Sequence, residues 1–293
     1  MKSHYHLKIL LLIILLRLYC LIYREALDGL CIFFGLYLIC IAGVVFYVFK
    51  TYSQTLEQDS KILSRFSAYL IRSSFWAVFL VGVADFIISF MVVERLWEAI
   101  FSPEIKALMV KAPVRITYIH FPIILASFII GYFTKSVGFI WLAVLVVVSE
   151  FVIVLSRFIF SYEQAFQGDL VRFWYAALYL FASAYALIHE GHVRVDVLYS
   201  SFSEKKKAWT NMVGSAVLGV PLTLIVIFLG LNGKASIING PVVAFEVTQQ
   251  GSNGLYLLYL MAVYLAVFAV TMLIQFTSYF MESSHKILKG IKR

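Results

Sequence analysis

The sequence predicts an all-α membrane protein, a polytopic bundle of about eight transmembrane helices with short amphipathic helices at the membrane surface. Apolar residues make up 62% of the 293 residues, charged residues make up 14%, and the mean hydropathy is +0.91. Soluble domains do not have this composition. The apolar residues also form runs of about 20 residues, which is the length that a helix needs to cross the hydrocarbon layer. These observations indicate a multi-pass inner-membrane protein.

The N-terminal part contains two apolar runs. The first, Leu7 to Tyr23, carries Arg17 near its middle and can span the membrane if Arg17 snorkels or faces the bundle. No small-x-small cleavage site follows it, so we interpret it as a retained segment. The second run, Leu27 to Phe49, is long enough for a span. Lys50 to Arg72 is polar and predicts a cytoplasmic loop with a short amphipathic helix around Ile62 to Ile71.

The remaining apolar runs predict six further spans. Between the first two of them, Glu94 to Arg115 predicts an interfacial helix, with breaks at Ser102-Pro103 and at Pro113. Pro122 and Pro221 fall within predicted spans. The six runs are Phe75 to Val93, Ile116 to Phe133, Val137 to Phe160, Asp169 to His189, Trp209 to Leu231 and Leu255 to Met281.

The distribution of basic residues predicts the orientation. Eight spans with both termini in the cytoplasm place most Lys and Arg residues on the cytoplasmic side, as membrane insertion favours, and the inverted topology reverses that bias. An alternative with seven spans, in which residues 7 to 23 lie flat, places the N-terminus outside. The net charge of +8 is therefore explained by the loops and the tail, and we expect no nucleic-acid partner.

The most distinctive polar stretch follows the sixth predicted span. Gly191 can take the positive-φ conformation that ends a helix, and Arg194 and Lys205 to Lys207 supply positive charge typical of the cytoplasmic face. The residues between these charges are too apolar for a solvated loop and too few for a span. We therefore expect this segment to lie along the headgroups, with Arg194 reaching a phospholipid phosphate or a partner and Asp196 pairing locally.

This stretch also carries a family resemblance. Gly191-His192-Val193-Arg194-Val195-Asp196, followed by Ser-Glu-Lys-Lys-Lys-Ala-Trp, resembles the signature of the small permease subunit, DctQ-like, of tripartite ATP-independent periplasmic (TRAP) transporters. The similarity extends to Leu155 to Phe160, which contains Arg157, and to Phe245 to Thr248, which contains Glu246. It covers roughly residues 136 to 281. The chain departs from the family in having Asp169 where a Trp and a Glu usually open the second span, and in its N-terminal half.

The resemblance implies a function and an organisation. Residues 134 to 293 would be a four-span small-permease domain, and residues 1 to 133 an extra N-terminal membrane region. The chain would not be an enzyme and would need no cofactor. It would scaffold a large, DctM-like permease subunit in the sodium-driven symport of an organic acid that a periplasmic solute-binding protein delivers.

Two acids lie inside apolar runs, Asp85 and Glu150, where an ionised group is costly and usually faces a partner. Glu150 and Arg157 are seven residues apart, nearly two turns, and share a helix face, which predicts a structural ion pair. Asp85 has no cation near it in sequence, which makes it the better candidate for a proton or ion relay.

Metal and haem sites find little support in the sequence. His189-Glu190-Gly191-His192 does not have the His-Glu-x-x-His spacing of zinc sites. His120 and His189 are predicted near opposite membrane surfaces and cannot hold one haem. Two alternative readings stay open: a membrane-bound enzyme or redox-complex subunit that uses Asp85, Glu150 and His120, and a free-standing channel for small solutes.

Overall fold

The computed structural model describes residues 55–134, 139–188, 199–247 and 254–291, and this part of the chain is helical. Six helical stretches within it are long and apolar enough to cross a membrane, which confirms a multi-pass helical protein. They correspond to the six spans predicted after residue 72, and the two predicted N-terminal spans lie outside the described residues. The helices are α1 (Leu56–Val93), α2 (Trp97–Ile100), α3 (Pro103–Met109), α4 (Ala112–Arg115), α5 (Phe121–Phe133), α6 (Phe139–Phe160), α7 (Ala165–Ile188), α8 (Glu204–Gly214), α9 (Val220–Leu231), α10 (Asn239–Val243) and α11 (Leu258–Ile291).

The first described helix differs from the prediction. Instead of a polar loop, a short amphipathic helix and a separate span, α1 is one continuous helix of 38 residues. It begins at a capping box, in which Thr55 Oγ1 accepts from the Gln58 N–H and Gln58 Oε1 accepts from the Thr55 N–H. Neither Gly nor Pro interrupts the sequence before Gly82. At 1.5 Å per residue α1 is roughly 57 Å long, so it extends well beyond the hydrocarbon layer.

Three serines of this helix, Ser60, Ser64 and Ser67, pack against the last helix. Ser60 Oγ lies 3.0 Å from Ser278 Oγ, and Ser64 Oγ donates to Gln275 Oε1 at 3.2 Å. One to two turns further along, Ser67 Oγ donates to a backbone carbonyl of α11. The polar sequence therefore resembles a loop although it forms part of a helix. Its serines make the contact between α1 and α11, which we call the serine seam.

Two of the membrane-crossing stretches change helix type next to a proline. A π-helical turn, Ile116–His120, joins α4 to α5 immediately before Pro122, and a second, Ser215–Gly219, joins α8 to α9 before Pro221. Proline lacks an N–H and its ring crowds the preceding turn, so a wider turn accommodates it without ending the helix. Both stretches consequently remain long enough to span.

Helices α1, α7 and α11 form the centre of the bundle, and α5, α6 and α9 lie around them. Helix α5 approaches α1 closely at Gly131, where an added Cβ would lie 2.8 Å from the Ser73 Cα. Around this contact, Tyr69 Oη donates to the Phe128 carbonyl and Trp76 Nε1 donates to Thr134 Oγ1. Helix α1 also packs directly against α7 and α11, so the helices of residues 56–133 form one bundle with those of the C-terminal half.

The chain between α1 and α5 contains short helices, as the breaks in the sequence predicted. Arg95 has a φ of 56° just after α1, α2 ends before Ser102-Pro103, and α3 begins at Pro103. Pro113 lies in the first turn of α4, where its missing N–H has no partner to lose. This connection brings Arg115 and His120 beside the end of α1.

Candidate functional site

The most elaborate polar arrangement in the described residues surrounds Asp85, within the last three turns of α1. We call it the Asp85 cluster: Asp85, Ser89, Arg115, His120, Tyr256 and Tyr259. All six side chains are buried, and those of Asp85 and His120 have no exposed surface. On the predicted topology the cluster lies in the periplasmic half of the bundle, where several helix ends meet.

Arg115 supplies the positive charge that balances Asp85. Its Nε lies 2.5 Å from Asp85 Oδ1, and its Nη2 donates to the Asp85 carbonyl at 2.6 Å and to Ser89 Oγ at 2.8 Å. The guanidinium also lies over the ring of Tyr256, 4.5 Å from its centroid. Planar geometry with several fixed donors suits a buried arginine to this role.

His120 connects the acid to the last helix. Its Nε2 is 2.8 Å from Asp85 Oδ1, and its Nδ1 is 3.0 Å from the hydroxyl of Tyr259. With the ring proton on Nε2, the Asp85 carboxylate accepts a hydrogen bond from His120. In this tautomer Nδ1 accepts a hydrogen bond from the Tyr259 hydroxyl. The rings of His120 and Tyr259 are nearly parallel, 6.0 Å apart.

Two acids from different parts of the chain hold the segment that leads into α11. The Tyr256 N–H donates to Asp85 Oδ2 at 2.7 Å, and the Leu255 N–H donates to Asp169 Oδ2 at 3.1 Å. Ser89 Oγ donates to the Gly254 carbonyl at 3.3 Å. The first N–H groups of a helix have no partner within the helix. Carboxylates placed here satisfy backbone donors just before α11 and so fix where the last helix begins.

This arrangement chiefly stabilises the packing of the helices. Both carboxylate oxygens of Asp85 are occupied, one by Arg115 and His120 and the other by a backbone N–H. A short hydrogen-bonded chain does run from Tyr259 through His120 to Asp85. However, Asp85 lies against a buried cation, Arg115, so the charges of the two side chains balance within the cluster. No cation lies near Asp85 in sequence, and Arg115 reaches it from 30 residues further along the chain.

Among the predicted residues of the C-terminal half that the structure describes, Glu150, Arg157 and Glu246 do not join this cluster, and Asp169 is linked to it only through the segment that leads into α11. Arg157 is exposed and lies 3.4 Å from Glu163, and within the described residues no ion pair joins it to Glu150. An ion pair of either residue across an interface stays a prediction. Glu150 lies on the exposed side of α6. The Glu246 side chain is exposed, while its carbonyl accepts from the Tyr259 N–H at 3.1 Å.

A second contact links α1 to the connection between α6 and α7. The hydroxyl of Tyr162 donates to Glu94 Oε1 at 2.6 Å. Burial, together with this hydrogen bond, raises the pKa of Tyr162 above its ordinary value, so the hydroxyl stays a neutral donor. This contact links the C-terminal end of α1 to the connection between α6 and α7, which lies in the part of the chain that resembles the family.

The signature Gly191 to Asp196, with His192 and Arg194, lies outside the described residues, as does His189. Its predicted position along the headgroups therefore stays a prediction. Within the described residues, no group of three His, Cys, Asp or Glu side chains is arranged to hold a metal ion.

Sequence reasoning missed Arg115, Tyr256 and Tyr259 as members of the cluster. Arg115 stands at the end of the predicted interfacial helix Glu94 to Arg115, yet it is 1% exposed. A signal was available: in sequence it directly precedes the run that contains His120, and Asp85 required a cation. The distance along the chain hid the pairing, since 30 residues separate Asp85 from Arg115.

Comparison with known families supports the resemblance. Residues 143–283 match the family model described as tripartite ATP-independent periplasmic transporters, DctQ component, which confirms the recognition made from the sequence. No curated protein and no solved structure matches the chain. The matched region contains Asp169 and the segment that leads into α11, whereas Asp85, Arg115 and His120 precede it.

Proposed function

We propose that this chain, whose residues 143–283 match the DctQ component family, is the small membrane subunit of a TRAP-type transporter. In this role it scaffolds a large, DctM-like permease subunit, which carries the substrate and ion sites. A periplasmic binding protein delivers a carboxylate substrate, and a sodium gradient drives symport. The family match is the observation that carries the proposal.

The character of the polar groups in the described helices supports a scaffold. The Asp85 cluster is closed, since its charged groups are paired with one another and with backbone groups. The serine seam between α1 and α11 is likewise used for helix packing. Polar groups that bind a transported solute must be free to exchange partners, and these are already engaged.

The enzyme or redox alternative relies on Asp85, His120 and Glu150 acting together. Asp85 and His120 are in contact, but Glu150 lies on the exposed side of another helix, and no hydrogen bond or ion pair of the described residues joins it to either of them. No observation in the described residues favours this alternative over the transporter subunit.

Reconstitution tests the proposal directly. The chain should co-purify, after mild detergent extraction, with a large permease subunit encoded in a neighbouring reading frame. Proteoliposomes with both subunits and the binding protein should accumulate a carboxylate when a sodium gradient is imposed, and omission of any component should abolish uptake. Solute flux through this chain alone, or a bound chromophore with no associated permease, would contradict the proposal.

The headgroup segment offers a second test of the same function. Arg194→Ala and Asp196→Ala should impair uptake by weakening assembly or the position of the chain in the membrane. A charge left unpaired at a buried interface costs roughly 3 kcal/mol. Substrate preference should not change. Arg194→Lys should be milder if the partner is a lipid phosphate. The measurement is competition uptake with several carboxylates, together with the amount of assembled complex. An altered substrate preference with normal assembly would show that the segment lines the transport path and would contradict the scaffold role.

A further inference from the structure

Helix α7 carries polar side chains on the side that it turns away from the rest of the described bundle. Arg172, Tyr175 and Tyr179 are 68%, 47% and 61% exposed, and they lie three or four residues apart, so they share one face of the helix. We call these three residues the α7 polar face. The opposite side of α7, which includes Phe173 and Ala177, is buried, and the helix packs against α1, α6 and α11.

The two tyrosines lie at a depth where a membrane offers their hydroxyls no partner. The membrane-crossing stretch of this helix is Ala165–Leu187, whose midpoint is Ala176. Tyr175 and Tyr179 lie within three residues of this midpoint, roughly 5 Å along the helix at most. Tyr132 is also exposed, but it lies next to the end of α5. Headgroups and water reach a hydroxyl at a helix end, whereas hydrocarbon surrounds one at mid-depth.

The two hydroxyls satisfy only part of each other's hydrogen-bonding capacity. Tyr175 Oη lies 2.8 Å from Tyr179 Oη, so one hydroxyl donates to the other. The second hydroxyl keeps its own proton, and no other group of the described residues accepts it. A donor left without an acceptor in hydrocarbon raises the free energy of the protein. An acceptor that faces α7 at mid-depth would remove this cost.

The exposed side of α9 provides a contrast. Its exposed residues at three- and four-residue spacing are Leu222, Ile225 and Leu229, which are all aliphatic and suit contact with lipid tails. The α7 polar face has no aliphatic side chain. One turn before Arg172, a Cβ added to Gly168 would meet nothing within 4 Å, so this side of α7 is open. Hydroxyl groups are typical of surfaces on which membrane helices pack against one another.

We propose that the α7 polar face binds a transmembrane helix of the large permease subunit, which places a hydrogen-bond acceptor opposite Tyr175 and Tyr179. The identity of this partner rests on the proposed function. Helix α7 lies within residues 143–283, the part of the chain that matches the DctQ component family. A second copy of this chain fits the face less well. Two-fold symmetry within a membrane would place the positive charges of two Arg172 side chains opposite each other at the same depth.

Site-specific photo-cross-linking in intact membranes tests the contact. Benzoylphenylalanine is incorporated in place of Tyr175 or of Tyr179 in the full-length chain, which is produced together with the large permease subunit. Both positions should cross-link to a transmembrane segment of that subunit. The matched control position is Leu222, which is 58% exposed on α9 and should give little product with the large subunit. An equal yield from Leu222 would overturn the proposal. Products formed only with a second copy, with residues 1–54 of the same chain or with lipid would also overturn it.

Removal of the two hydroxyls tests the hydrogen bond. Tyr175→Phe combined with Tyr179→Phe keeps both rings, and the dissociation constant of the complex with the large subunit should rise about threefold to tenfold, as for one hydrogen bond between membrane helices. The unfolding temperature of the isolated chain should change little, because both side chains are exposed. Tyr132→Phe, at a residue that is 70% exposed, is the matched control and should leave the dissociation constant unchanged. An unchanged dissociation constant in the double variant would overturn the proposal.

The wild-type complex separates this inference from the proposed function. If the chain and the large subunit co-purify but neither tyrosine position cross-links to that subunit, the α7 polar face is not the interface and the proposed function stands. If the wild-type chain forms no complex with the large subunit, the proposed function fails and the inference fails with it.

Discussion

Asp85 and Glu150 have the same sequence setting, an acid inside an apolar run, but the structure gives them opposite surroundings. Asp85 is completely buried and held by Arg115, His120 and a backbone N–H. Glu150 lies on an exposed helix side and has no such partners in the described residues. An acid within an apolar run predicts that its carboxyl group needs a partner. The sequence does not show whether the described bundle supplies that partner, as it does for Asp85, or leaves the acid on an exposed side, as it does for Glu150.

The comparison also separates the two sides of the molecule. The side containing α1, α5 and α11 is joined by ion pairs, a serine seam and a close contact at Gly131. The side formed by α6 has one main neighbour and an open apolar groove. We therefore expect substitutions on the first side to lower the stability of the isolated chain most.

The largest effect should come from Asp85→Ala. It leaves Arg115 buried without its counter-charge and removes the acceptor for the Tyr256 N–H, and such losses typically cost about 3–5 kcal/mol. Thermal unfolding of the purified full-length chain measures this. Adding Arg115→Met should return part of the lost stability, because no buried charge then remains unpaired. A double variant as unstable as the sum of its single variants would contradict the pairing.

A second substitution tests the close contact between α5 and α1. Gly131→Ala places a Cβ within 2.8 Å of Ser73 backbone atoms, which cannot move without separating the helices. We expect a loss of about 1–3 kcal/mol, as in other overpacked cores. The matched control is Gly214→Ala, a helical position where nothing lies within 4 Å, which should be neutral or slightly stabilising. Equal effects of the two changes on the unfolding temperature would argue against the packing.

Asp169→Asn should have an intermediate effect. Asp169 is buried and accepts from the Leu255 N–H, but its ionic partner Arg172 is exposed and 3.7 Å away. Since the amide can still accept through its oxygen, we expect a loss of about 1–2 kcal/mol. Hydrogen exchange at the start of α11 should rise locally. Unchanged exchange there would mean that Asp169 does not hold this segment.

The smallest effect should be that of Arg157→Ala. The ion pair of Arg157 with Glu163 is exposed on both sides, and such pairs contribute between zero and about 1 kcal/mol. The unfolding temperature should stay within error of the wild type, and added salt should not change the difference. A clear destabilisation would show that Arg157 has another partner, such as a second subunit.

Much of the fold could be predicted from the sequence because the membrane sets the length of apolar helices. The predicted C-terminal ends of four spans, at Val93, Phe133, Phe160 and Leu231, coincide with helix ends in the structure. The extent of α1 could not be predicted, because Ser60 and Ser64 look like loop residues until α11 is packed beside them. The site was recognised only in part: Asp85 and Asp169 were singled out, but local sequence carries no information on which helix supplies Arg115 or the Tyr256 N–H.

The most direct test of this account compares Asp85→Asn with Glu150→Gln in the full-length chain, under one set of detergent and lipid conditions. Both changes neutralise an acid within a span and preserve its size. The account predicts that Asp85→Asn lowers the unfolding temperature far more than Glu150→Gln, because it unbalances a completely buried arginine. An equal or larger effect of Glu150→Gln would contradict the claim that the Asp85 cluster is the structural centre of the described bundle.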